Sequence, residues 1–168
     1  MGLISRSYRI VADISLPNVW VIDPATQGED LIRAMPEDYI SYVKSVPNIE
    51  WAVPLNYALF PVTTPSSGIF KVAEVYGIDD KTLVGIPDLI QGKAEDLYSD
   101  GGIIIDSDSA NDLLATTTAS GKKIPLKIGD ILEINGKRAV IVGIGKTLPG
   151  FFPQPTIFTT SNQFQKFS

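Results

Sequence analysis

Asn135-Gly136 stands between two apolar runs, Ile131-Leu132-Glu133-Ile134 and Ala139-Val140-Ile141-Val142. This commits the last third of the chain to a β-hairpin. Both central residues of a two-residue type I′ turn need positive φ, which asparagine and glycine tolerate best. The predicted strands are 129–134 and 137–144. A second hairpin is expected from extended segments 57–62 and 69–77, with the Thr, Ser, Pro and Gly cluster of 63–68 as its turn. Further strands are predicted at 8–16, where Ile10, Ala12 and Ile14 fall at period two, and at 19–22, 49–53, 103–105 and 156–160.

Helical signals are short. Pro36-Glu37-Asp38 suits a first turn, with Tyr39, Ile40 and Val43 as the apolar face and Pro47-Asn48 as the stop. Asp106-Ser107-Asp108-Ser109 offers N-caps for a helix over 110–115. Residues 87–92 read as a helical turn closed by Gly92, and the tail from Ser161 as a capped turn. Strands with separate short helices indicate an α+β fold with antiparallel or mixed sheets rather than βαβ winding.

The composition excludes much chemistry. The 168 residues hold neither cysteine nor histidine. Disulfides, thiolate nucleophiles, Ser-His-Asp triads and histidine-ligated metals are therefore ruled out. Net charge is −5, without a basic stripe, so nucleic acid is not an expected partner. No apolar run has membrane-spanning length, and residues 1–6 carry neither the apolar run nor the cleavage site of a secretory signal. The chain is expected to be a soluble piece of a larger protein.

Five constellations invite a functional reading. Gly145-Lys146-Thr147 lacks the upstream glycine of a phosphate loop, since position 140 is valine, and Pro149 would break the helix that must follow. Asp106-Ser107-Asp108 opens like a calcium loop, but Ala110, Asn111 and Thr117 stand where ligands and the hinge glycine belong. Helix capping explains those acids. Asp23, Asp79, Asp80, Asp106 and Asp130 are the candidate acid–base carboxylates, and each also has an ordinary turn or cap role. Trp20 and Trp51 could stack a sugar, yet both lie in apolar runs and are expected in the core. Leu148, Phe151 and Phe152 differ: adjacent rings in a loop bounded by Pro149, Gly150 and Pro153 are candidate partner contacts, at least one phenylalanine being exposed.

Residues 17–27, opening Pro-Asn-Val-Trp-Val-Ile-Asp-Pro, resemble the start of the extracytoplasmic domain of ABC-type permeases in the FtsX/MacB/DevC group. Further segments resemble it in the same order: 45–54, 75–79, 86–92 leading to 102–106, 129–144 and 155–159. Together they cover nearly the whole chain, and Val-Trp-Val-Ile-Asp-Pro is most like the DevC branch. Asn48 departs from the glycine common at that turn. The resemblance implies two lobes, with 1–72 and 122–168 forming a membrane-proximal lobe and 73–121 a smaller lobe inserted into it.

It also implies a domain in the periplasm, between membrane helices of a permease in the inner membrane. It implies no catalytic residue, cofactor or metal. The implied partners are a second permease copy, a cytoplasmic ABC ATPase and a periplasmic membrane-fusion or adaptor protein. ATP-driven motion would drive export or lipid extraction. Two ends that enter adjacent membrane helices should lie on one face of the domain. The rival readings are a free-standing periplasmic carbohydrate-binding module resting on Trp20 and Trp51, and a carboxylate-based hydrolase.

Overall fold

A computed structural model describes residues 19–25, 33–118, 120–147 and 154–168. Its main feature is a sheet that closes on itself. In chain order the strands are β1 (Asn56–Thr64), β2 (Ile69–Ile78), β3 (Leu89–Gly92), β4 (Gly102–Asp106), β5 (Thr116–Thr117), β6 (Lys123–Ile124), β7 (Ile131–Ile134), β8 (Lys137–Gly145) and β9 (Thr156–Thr160). The sheet order is β3-β8-β4-β9-β2-β1-β7, and β7 also pairs with β8. Six strands therefore form a ring, and β3 is appended to the second half of β8. The pairs β2–β9 and β4–β8 are parallel and the others antiparallel. The strands β5 and β6 form a separate two-stranded ladder. The expected α+β class holds, with a mixed sheet and few short helices. Residues 73–121, the anticipated insertion, contribute β3, β4 and part of β2 to the same sheet as the outer segments.

Period-two alternation fills the ring. Val62, Ala73, Val75, Ile103, Ile105, Leu132, Ile134, Ala139, Ile141 and Ile157 are buried inside it. Ile141 and Ile144 both belong to this core although they stand three positions apart, an odd spacing. The register against β4 shifts between Ile103 and Ile104, so that Ile104 meets Gly143 and Val142 is passed over. That bulge returns Ile144 to the interior. One end of the ring is closed by the C-terminal helix (Ser161–Phe167) through Phe164 and Phe167. Ala110, Leu114 and Leu126 complete the same core from outside the ring strands.

A second core lies on the outer face. Tyr76, Ile78, Ile104 and Phe158 are covered by Leu97 and by Leu83, Ile86 and Leu89 from the 79–101 excursion. Tyr76 stacks on Phe158 with ring centroids 5.3 Å apart.

Both hairpins occur as the sequence indicates. Asn135 and Gly136 have φ of +50° and +74°. A helix runs Tyr39–Ser45, as expected from Pro36-Glu37-Asp38, and Asn48 just beyond it takes φ +69°. That left-handed position is why asparagine substitutes for the glycine common there.

Three expectations fail. Residues 19–22 and 49–53 form no strand: Val19, Val21 and Ile22 are exposed, and so is Trp51, at 46%. The ring is complete without them. Residues 89–92 are not a helical turn but β3, pairing where β7 is too short to cover β8. The helix expected over 110–115 begins earlier and closes as one wide turn, Ser109–Leu113, with Leu114 N–H donating to the Ser109 carbonyl at 3.0 Å. The predicted strand at 8–16 lies outside the described residues.

Candidate partner surface

Leu148, Phe151 and Phe152 lie outside the described residues. Their flanks are described, and both are tied to the same short segment. On the outgoing side, Thr147 Oγ accepts the Asp108 N–H at 3.0 Å and shares a 2.7 Å bond with the Ser107 hydroxyl. Lys146 donates its N–H to the Asp88 carbonyl at 2.8 Å and pairs with the Asp88 carboxylate at 2.9 Å. The phosphate-loop residues thus anchor a strand end.

On the returning side, Thr156 N–H donates to the Ser109 hydroxyl at 3.1 Å and to Asp106 Oδ1 at 3.4 Å. Asp106 Oδ1 also accepts the Ser109 N–H at 3.2 Å and the Ser109 hydroxyl. The acids that look like the start of a calcium loop form a bracket under the flanks of 148–153. Sequence reasoning found the cap but missed the bond to Thr156, 50 residues away.

Asp106 and Ser109 are both buried. Removing the carboxylate orphans buried donors, which costs about 1–3 kcal/mol. Asp106→Ala is therefore expected to lower stability by that amount in urea unfolding. Asp108→Ala, at an exposed position where only the backbone is engaged, should stay within about 0.5 kcal/mol.

The other candidate carboxylates each accept hydrogen bonds, Asp80 from a segment 82 positions away and the rest within their own turns. Asp79 accepts the N–H groups of Lys81 and Thr82 and the Thr82 hydroxyl. Asp130 accepts the Lys127 N–H, Asp23 the Ala25 N–H and Asp80 the Asn162 N–H. The Asp100 carboxyl is held away from its ordinary pKa. The shift is downward, through the Lys166 hydrogen bond first and its charge second. A lowered folded value means that this pairing stabilises at neutral pH and is lost as pH falls through it. The pair is exposed, so solvent screens it.

Trp51 is exposed and Trp20 half-buried. A shallow depression on the outer face is lined by Glu95, Asp96, Ser99, Ile128 and Val142, without either ring.

The first hairpin presents apolar side chains outward. Leu59, Phe70 and Val72 are 46%, 63% and 45% exposed. Phe70 pairs with Thr63, Val72 with Pro61, and Glu74 with Leu59, so these residues share one outward stripe. β1 and β2 pair with each other along their whole length, so the stripe lies on the face of a paired ladder.

The chain matches the family model for the MacB-like periplasmic core domain over residues 2–168. A comparison with curated proteins finds no match. Among solved structures, the extracellular domain of the noncanonic ABC-type transporter YknZ from Gram-positive bacteria is similar at 16% identity and TM-score 0.56, covering 79% of this chain and 65% of that one. The periplasmic region of MacB from Actinobacillus actinomycetemcomitans is similar at 12% identity and TM-score 0.54, covering 80% and 59%. A domain of a putative permease from Porphyromonas gingivalis gives 14% identity and TM-score 0.50, covering 73% and 50%. The chain thus spans between half and two-thirds of the lengths of the chains it resembles.

Proposed function

The chain belongs to the MacB-like periplasmic core domains of ABC transporter permeases, and from that premise we propose that it relays ATP-driven motion to export or lipid extraction and docks a periplasmic adaptor. The family match along residues 2–168 carries this reading. In it the domain performs no catalysis: a separate ATPase supplies the energy and the flanking membrane segments of the permease deliver the motion. A second permease copy completes the assembly.

The architecture suits a relay. A ring of paired strands with a filled interior deforms little, because close-packed interiors are weakly compressible. The rival readings gain no support from the site geometry. Asp79 and Asp80 share one turn while Asp23, Asp106 and Asp130 sit in three others, and the depression on the outer face contains neither tryptophan.

The adaptor contact is assigned to Leu148, Phe151 and Phe152. Their described flanks lie at the ring end carrying the C-termini of β4 and β8, away from the C-terminal helix. Ring truncation at an interface hot spot costs about 1–3 kcal/mol, or roughly 5–150-fold in affinity. Phe151→Ala or Phe152→Ala in the full-length permease is expected to weaken adaptor capture by that factor while leaving the thermal midpoint nearly unchanged. Unfolding with unchanged adaptor affinity would instead assign the loop to packing.

A further inference from the structure

The 79–101 excursion touches both ends of the ring. Its two limbs lie against the C-terminal helix. Asp80 accepts the Asn162 N–H at 3.3 Å, the Ser99 carbonyl accepts the Gln163 side-chain amide at 3.3 Å, and Asp100 pairs with Lys166 at 2.9 Å. The Tyr98 hydroxyl donates to the Asp80 carbonyl at 2.7 Å, which ties the limbs to each other.

The middle of the excursion lies at the opposite end. Lys146 donates its N–H to the Asp88 carbonyl at 2.8 Å, and its ammonium bonds the Asp88 carboxylate at 2.9 Å. Pro87 packs so close to Gly145 that a Cβ added there would lie 2.5 Å from the proline Cγ. Strand β4 measures the span. It starts with Gly102 opposite Val140 and finishes with Asp106 opposite Gly145. At about 3.3 Å per residue that is about 13 Å.

Between these points the excursion is packed. Leu97 is fully buried, and Leu83, Ile86 and Leu89 join it on the second core. Close-packed side chains pass displacement on because they compress little. At the helix, by contrast, the limbs are held by side chains rather than by a strand ladder, so that junction can open locally.

We propose that residues 79–101 form a strap that couples the two ends of the ring: releasing the C-terminal helix from Asp80 and Ser99 loosens the β8 end at Lys146, and the reverse. Linkage makes such coupling reciprocal. The coupling belongs to the domain itself, and its use in carrying motion rests on the relay role proposed above.

The test is residue-resolved hydrogen exchange on the full-length permease. Asp80→Ala removes the acceptor of the Asn162 N–H, and Gln163→Leu removes the amide bonded to Ser99; both changes are made at the helix end. Lys146→Met keeps the aliphatic stem and removes the pair with Asp88 at the other end. Each helix-end variant should speed exchange of the Lys146 amide about 2–10-fold, and Lys146→Met should speed that of the Asn162 amide by a similar factor. Amides of β4 and β7 should keep their original protection. Tyr98→Phe loses only a hydroxyl and should act as the helix-end variants do, so the result does not hang on one substitution folding. Changes confined to the mutated end overturn the strap, and so does an effect in one direction only. Faster exchange in β4 as well also overturns it, since the ring itself would then carry the signal. A permease lacking the domain separates the two ideas: export that survives the deletion defeats the relay and leaves reciprocal exchange as support for the strap.

Discussion

Phe158→Ala is expected to destabilise the domain by about 3–5 kcal/mol, the range for emptying a buried phenylalanine site. The ring is fully buried on the outer face of β9, stacked on Tyr76, and clustered with Ile78, Leu97 and Ile104. It forms the floor of the second core, which holds the 79–101 excursion against the sheet. Chemical denaturation should show a lower midpoint, and limited proteolysis should cut first within 79–101. Ile157→Val, one residue earlier and facing the ring interior, removes a single methylene and should cost about 0.5–1.5 kcal/mol. Equal losses at the two positions would contradict two separate cores.

The second large effect is expected at Gly92. Its φ is +85°, and a Cβ there would lie 2.3 Å from the Val142 carbonyl oxygen. Left-handed backbone costs a side-chain-bearing residue about 1–2 kcal/mol, and overpacking against fixed backbone about 1–3 more. Gly92→Ala should therefore cost about 2–5 kcal/mol and loosen β3 from β8. Gly136→Ala is the control: its φ is +74°, but nothing lies within 4 Å of the added methyl. Only the conformational term, about 1–2 kcal/mol, applies there. Denaturant midpoints of the two variants measure the contact term as their difference.

What the sequence revealed and what it hid divide along contact range. The Asn135-Gly136 turn and the first hairpin involve near neighbours, so local chemistry specified them. Closure of the ring depends on β1 meeting β7, about seventy residues further on, and no local pattern encodes that meeting. The strand β3 was hidden for the same reason: Pro87, Asp88 and Gly92 look like turn residues, and only the vacant edge of β8 makes Leu89–Gly92 a strand. Conversely, the apolar run at 19–22 looked like a strand because a run without alternation carries no period to test, and 49–53, with Glu50 between Ile49 and Trp51, is too short to test one.

The bulge at Val142 shows a subtler limit. Alternation along β8 would place Ile141 and Ile144 on opposite faces, whereas the register shift puts both inside. At the candidate site, Asp106 was legible as a cap, but its bond to Thr156 required the fold. The resemblance to permease domains rested on ordered segments rather than on any one motif, and the family match now spans them.

The relay role is tested most directly by distance measurements in the assembled transporter. The chain lacks cysteine, so Ser66→Cys in the turn between β1 and β2 adds one labelling position to this domain. A second spin label belongs on the ATPase subunit, with pulsed dipolar spectroscopy performed without nucleotide, with a non-hydrolysable ATP analogue and with ADP. If the domain relays ATP-driven motion, the distance distribution shifts on binding the analogue and returns with ADP. A distribution that stays the same in all three states, in a transporter shown to export, would contradict the relay.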